Sequence, residues 1–208
     1  MKKNRDEIEK DIIAASKKLF IEKGYKSTTM RDIATEANVN LAMMNYYFQS
    51  KDKLFDIIFE EAFLIMSTNI IKVLSSEKSV LDKLSEFAAV YMDGLIQNPM
   101  IPGFIMHEIY ADPYRLINKM LEKKEISNYL NSFYMQVSKE IDEGKIKPFH
   151  PLDIFINTIA LCIFPFIAKP IIEKLPIQGQ TNLYNQLLEL RKETVGQFLI
   201  NALEIKKK

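Results

Sequence analysis

The chain of 208 residues has no Trp, one Cys and only six Gly. One cysteine, Cys162, excludes an intramolecular disulfide framework and a cysteine zinc cluster. It lies in an apolar run and reads as a buried structural thiol. With so few glycines there is no Asn-Gly or Asp-Gly hairpin turn between alternating runs, and no sustained period-2 pattern, so a sheet is not expected. Charge of one sign is not in excess either: the net charge is +1, which excludes a polycation. The two histidines, His107 and His150, are far apart and lack partners at metal-ligand spacing. GxGxxG, P-loop, GxSxG and HExxH patterns are all missing. No catalytic residue, no metal and no cofactor is therefore expected, and the chain does not read as an enzyme. The first residues, MKKNRDEIEKD, are charged and have no apolar centre, so they do not read as a secretory signal.

A long uninterrupted apolar run is lacking too. The most apolar stretch, residues 152–172, is broken by Asp153, Asn157, Thr158, Pro165 and Lys169. A spanning helix needs about 20 mostly apolar residues, so no membrane partner is expected. A helix apolar on all sides is otherwise a buried one. What is present is a 48% hydrophobic content, enough for a core, arranged at helical spacing nearly throughout.

The most informative stretch is Thr28 to Lys53. Met30, Ile33, Ala34 and Ala37 fall on one helical face. Thr28 or Thr29 can cap the start, and Asp32, three residues after Thr29, fits a capping box. Asn38 can take the left-handed conformation at low cost and turn the chain. Asn40 can cap a short second helix, Leu41 to about Tyr47, with Met44 and Phe48 facing inward and Ala42 small where helices would cross. Ser50 then caps a long helix beginning at Lys51. Helix, three-residue turn, helix is the helix-turn-helix unit, whose second helix enters the DNA major groove. Leu41, Met43, Asn45, Tyr46 and Tyr47 cannot all be buried on seven residues. A plain helical corner with tyrosines packed on neighbours is the alternative. Charge leans the same way as the motif: residues 1–55 carry eleven Lys/Arg against eight Asp/Glu, the remainder seventeen against nineteen.

The segments GYKSTTMRDIA, NVNLAMMNYYF and SKDKLF resemble the DNA-binding domain of the TetR family of transcriptional repressors, over roughly residues 8 to 55. Two departures bear on the reading face: Asn45 stands where the family most often has Tyr, and Leu41 where a polar residue is common. The resemblance implies an all-α protein with an N-terminal three-helix DNA-binding domain, residues 1–50, and a C-terminal helical domain, residues 51–208, for effector binding and dimerisation. It implies a palindromic double-stranded operator, a homodimer and an unidentified small-molecule effector whose binding releases DNA. A protein of this kind would work in the cytoplasm. Arg31 and Asn45 are expected to read bases, with Leu41 and Met43 offering apolar contacts. Thr28, Thr29, Tyr46, Tyr47 and Lys51 are expected on the backbone, and Asn40 and Ala42 belong to the same surface. Lys2, Lys3 and Arg5 either meet phosphates or form a solvated tail. A helical small-molecule or protein-binding module that no longer binds DNA is the rival reading.

Beyond this unit the spacing predicts a first helix over residues 6–23 ended by Gly24, and a fourth over 51–75. Further helices are expected at 80–96, 104–111, 114–144, 152–172 and 181–204. Phe87, Tyr91, Phe104, Met106, His107, Tyr110, Phe133 and Tyr134 are the candidate ligand contacts, since apolar pockets use aromatics and Met with few polar tips; cores use the same residues. Phe155, Ile159, Leu187, Leu188 and Phe198 are the candidate dimer contacts.

Overall fold

The computed structural model describes residues 4–122, 124–175 and 183–205; Lys2, Lys3, Thr181 and Lys206 to Lys208 lie outside them. The described elements are helices: α1 (Arg5–Ser27), α2 (Met30–Glu36), α3 (Leu41–Tyr47), α4 (Lys51–Leu74), α5 (Val80–Gln97), α6 (Ile101–Ala111), α7 (Pro113–Leu121), α8 (Lys124–Asp142), α9 (Pro151–Ile167), α10 (Lys169–Ile172) and α11 (Leu183–Leu203). An isolated bridge joins Ile146 to Glu204, and the fold is all-α as expected.

The chain divides into two compact units, residues 1–64 with 103–119, and residues 65–102 with 120–208. The expected boundary at residue 50 is therefore displaced. The start of α4 stays with the first unit, and most of α6 and α7 joins it. The cause is long-range packing that spacing does not reveal. Phe104 is buried, and its ring meets Phe55 of α4 at 5.4 Å.

Within the first unit the core is formed by Ile12, Leu19, Phe20, Ile33, Met44, Leu54 and Phe55. The predicted stripes of α1, α2 and α3 thus face one another. Gly24 interrupts α1 with φ 78° and ψ 160°, a backbone region closed to most side chains. Thr29 and Asp32 form the predicted capping box, with N–H···O distances of 3.1 and 2.9 Å. Asn38 adopts φ 55°, and the Asn40 side chain accepts from the Met43 N–H at 2.7 Å.

The second unit is built on α5 and α11. A Cβ on Gly196 would lie 2.6 Å from Ser85 Oγ and 2.9 Å from Ser85 Cα, so the close approach of these helices requires glycine there. Val80, Leu84, Phe87, Ala88, Met92 and Leu95 of α5 are buried against this neighbour and α9. The single helix expected over 114–144 is two, α7 and α8, separated in the charged stretch after Leu121. The one expected over 152–172 is also two. α9 ends at Ile167, with Ala168 as its cap, ahead of Pro170, which has no N–H with which to continue the ladder.

Pro165, inside α9, leaves the Leu161 carbonyl without its helical donor. Arg191 of α11 fills the place: its Nη2 donates to Leu161 O. Tyr184 Oη donates to Pro165 O at 3.2 Å. α11 thereby replaces the hydrogen bond that the proline removes from α9 and adds another near the helix end. Among the described residues no helix is long and apolar enough to cross a membrane.

Arg191→Met should lower the unfolding free energy by about 1–3 kcal/mol, the cost of a buried carbonyl left unpaired. In a Pro165→Ala background, where residue 165 regains its N–H, the same change should cost clearly less. Urea unfolding of the four proteins gives the coupling; equal costs in both backgrounds would disprove this role for Arg191.

Candidate nucleic-acid interface

The interface candidates sit on α2 and α3, and two opposing demands fix their geometry. Met44 and Phe48 are buried under α3, which turns Leu41, Ala42, Asn45 and Tyr46 outward. Tyr46 is 74% exposed and Leu41 37%; Asn45, Ala42, Asn40, Thr29 and Arg31 are exposed as well. Ala42 therefore does not sit at a helix crossing. Met43 and Tyr47 are half-buried. The Tyr47 ring meets Tyr46 edge-on at 5.3 Å, and the Arg5 guanidinium lies 5.9 Å from its centre. Tyr47 packs against the core of the first unit, and Tyr46 rests on Tyr47.

Two of the expected contacts are turned inward. Thr28 is fully buried, and its hydroxyl donates to Gly24 O at 2.8 Å and Leu19 O at 3.2 Å. Lys51 is half-buried, and its ammonium donates to Tyr25 O and Thr28 O, each at 2.8 Å. It also lies 4.2 Å from the centre of the Tyr25 ring. Burial lowers the pKa of this ammonium. The kink at Gly24 frees carbonyls at the end of α1, and a helix end that leaves such groups buried must find donors for them. Thr28 and Lys51 supply them. The side chain of Thr28 has no donor left for a phosphate, and Lys51 has one.

Sequence reasoning missed the cluster beside this kink. Tyr25 Oη donates to Asp52 Oδ1 at 2.5 Å, and burial together with that bond pushes its hydroxyl up to about 12. Arg115 of α7 stacks its guanidinium 3.8 Å from the Tyr25 ring centre and 4.8 Å from that of Phe55. Glu108 of α6 is 1% exposed with neither carboxylate oxygen hydrogen-bonded inside the protein; burial raises its pKa. Lys26 donates to Ala111 O at the end of α6. No spacing rule joins residues 25, 52 and 115, so only the fold brings them together.

The expected ligand contacts do not stay together. Phe104, Met106, His107 and Tyr110 belong to the first unit, and Phe87, Tyr91, Phe133 and Tyr134 to the second. Tyr110 is 82% exposed and Tyr134 42%. Phe87 and Phe133 do converge, around a void of only about 10 Å³. Of the expected dimer contacts, Leu188 is a core residue, and Phe155, Ile159 and Leu187 are half-buried. Phe155 packs on Phe87, with ring centres 6.4 Å apart. Phe198 alone among the five is open, at 62%. Helices apolar on two faces do not declare in sequence which face turns inward.

The sequence profile of the family described as "Bacterial regulatory proteins, tetR family" matches residues 12–58. The HTH-type transcriptional regulator YfiR of Bacillus subtilis is 27% identical over 159 residues, 73% of this chain and 74% of that one. Residues 12–58 are a DNA-binding domain of the TetR family. The biofilm operon icaADBC HTH-type negative transcriptional regulator IcaR of Staphylococcus aureus is 26% identical over 62% of this chain and 67% of its own. The crystal structure of HlyIIR, a hemolysin II transcriptional regulator, superposes with a TM-score of 0.65 over 98% of this chain and all of that one, at 24% identity. The protein is a DNA-binding transcriptional regulator, and the TetR family is not one of enzymes.

Lys51→Met should lower stability by about 1–2 kcal/mol, discounted for partial exposure from the usual worth of charged hydrogen bonds, because Thr28 O loses the ammonium and Tyr25 O keeps only the Thr28 N–H, at 3.3 Å. Arg31→Ala, on the open face, should leave stability within about 0.5 kcal/mol. Urea midpoints followed by circular dichroism check both, and equal midpoints for wild type and Lys51→Met would refute the capping role.

Proposed function

We propose that the protein is a homodimeric cytoplasmic repressor that binds a palindromic operator and leaves it when a small, largely apolar effector occupies the second unit. The observation that carries the DNA half is the outward face of α3, Leu41, Ala42, Asn45 and Tyr46, with Arg31 and Thr29 exposed on the adjoining α2. A seven-residue helix held from beneath by Met44 and Phe48 can enter a major groove while its open face meets base edges. An Asn amide pairs with adenine N6 and N7, and an Arg guanidinium with guanine O6 and N7. Asn45 and Arg31 are therefore assigned to bases. Thr29, Asn40, Tyr46 and Tyr47 are assigned to the backbone, where contacts orient rather than specify. Lys51 is reassigned to holding the end of α1.

The dimer surface is also reassigned. Leu152, Ile156, Phe164 and Ile167 of α9 and Leu190 and Phe198 of α11 are large apolar side chains 42–64% exposed. A patch of this kind marks an interaction site, and two such helices from each copy would form a four-helix interface about a two-fold axis. A negative regulator among the relatives supports repression over activation.

Asn45→Ala should weaken binding to the true operator by about 1–3 kcal/mol and flatten preference at one base pair. Arg31→Ala should do the same at another position. Anisotropy titrations across single-base variants of the DNA flanking its own gene check this; a uniform loss on every sequence would assign both residues to the backbone instead.

Ile156→Asp or Phe198→Asp should yield folded monomers, whereas Leu188→Asp should fail to fold. Sedimentation velocity with circular dichroism separates these outcomes. A wild type that sediments as a monomer at micromolar concentration would refute the dimer.

A further inference from the structure

Lys83 is a basic residue on the buried stripe of α5, three residues after Val80 and four before Phe87. It is 5% exposed. Its ammonium donates to Leu74 O, at the end of α4, at 2.8 Å, and to Gln136 Oε1 of α8 at 2.7 Å. An ammonium has three donors, and both partners here are neutral. Two carboxylates act on it through space, Glu77 and Glu140. Glu140 accepts from the Val80 N–H through both oxygens, at 3.1 and 3.2 Å, and from Gln136 Nε2 at 2.8 Å. Lys83 is thus a buried cation with no carboxylate at ion-pair distance among the described residues and one donor uncommitted.

The same side chain lines two spaces in the second unit. On its outer side is a pocket of about 340 Å³, whose walls include Glu77, Lys78, Lys83, Tyr129, Ser132 and Gln136, two cations against one carboxylate. On its inner side is the void of about 10 Å³ lined by Leu74, Leu84, Phe87, Phe133, Phe155 and Thr158. Leu74 and Lys83 are common to both. The outer space is at the small end of ligand pockets, which run roughly 300–1,000 Å³. The inner one is about the size of a single water, which needs roughly 10–15 Å³ and polar partners, and its lining is mostly apolar. It is instead a seam between aromatic rings. A polar pocket and an aromatic seam thus share one buried cation in their walls.

We propose that this site takes a compact amphipathic carboxylic acid, its carboxylate on Lys83 with the Ser132 and Tyr129 hydroxyls beside it, and its apolar end parting the rings of Phe87 and Phe133. The proposal rests on the effector reading above and names the chemical class of that effector. A carboxylate gives Lys83 the charge-assisted partner it lacks. The apolar end gains burial against the rings that line the inner void. A neutral alcohol of equal length gains only the second, and acetate only the first. The ring movement is the source of any change passed on, since a ligand shifts a conformational balance only by its differential affinity for the two states.

The test uses the full chain and four probes: octanoate, octan-1-ol, octylamine and acetate, titrated by calorimetry. Octanoate should bind saturably, with octan-1-ol at least tenfold weaker and no detectable binding of octylamine or acetate. Lys83→Met should abolish the preference for octanoate over octan-1-ol. Because Lys83 also holds the end of α4, Ser132→Ala and Tyr129→Phe provide variants that spare that bond, and each should weaken octanoate two- to tenfold. The proposal is overturned if octan-1-ol or octylamine matches octanoate, if none of the four binds, or if octanoate binds all three variants like wild type. A gel shift with DNA upstream of its own gene separates the underlying reading. Octanoate that binds as described but leaves the DNA complex intact upholds the site and removes the effector role. Octan-1-ol that equals octanoate in calorimetry and also releases DNA keeps the effector role and removes the acid site.

Discussion

The structure depends on one constraint: a helix leaves its last carbonyls without donors, and this chain has few glycines with which to turn those ends. Gly24 and Gly144 are the glycines with positive φ among the described residues. Elsewhere long cations reach the free oxygens. Lys26 donates to Ala111 O, Lys51 to Tyr25 O and Thr28 O, Lys83 to Leu74 O, Lys147 to Ala202 O, and Arg191 to Leu161 O. Each also brings positive charge to the negative end of a helix dipole or to a break in one. The four-carbon stem of lysine suits this use, since it can lie along apolar surface while its head meets a carbonyl. The scarcity of glycine and the inward-turned cations are two sides of the same arrangement.

This arrangement changes how the charge of the N-terminal region is to be read. The excess of Lys and Arg before residue 55 suggested a surface for phosphates, yet Lys51 spends two donors on the kink at Gly24. Lys17 and Lys18 pair with Glu61 and Glu36. On the proposed reading, the DNA-facing surface consequently relies on Asn45, Tyr46, Thr29 and the Arg31 guanidinium more than on ammonium groups. Such a surface favours discrimination between sequences over strong general attraction to DNA.

The parts of the fold that were legible in sequence are those set by neighbours a few residues apart. Thr29 with Asp32, Asn38 at its left-handed φ and Asn40 as a cap are each decided within one turn, so the helix-turn-helix could be read almost to the residue. The apolar stripe of α5 was equally plain. What escaped depends on partners far along the chain. Phe104 and Arg115 were assigned to the second domain because nothing near them in sequence mentions Phe55 or Tyr25. Leu188 and Phe198 looked alike on α11, and only packing against α5 makes one core and the other surface. Lys83 did leave a signal, a basic residue on an apolar stripe, and its meaning became clear only with Leu74 and Gln136 beside it. For the outer face of α3 the positions were readable; which of them meet bases is decided by the partner.

The borrowed hydrogen bonds of α9 have a consequence in time. Leu161 and Arg191 are thirty residues apart, and Pro165 and Tyr184 nineteen. At a synthesis rate of about 5–20 residues per second, α9 leaves the ribosome a few seconds before the side chains that complete it. During that interval the most apolar helix of the protein exists with open carbonyls and an uncovered flank. The newborn chain therefore passes through a stage in which its C-terminal region is sticky, and that stage lasts as long as it takes to make α11.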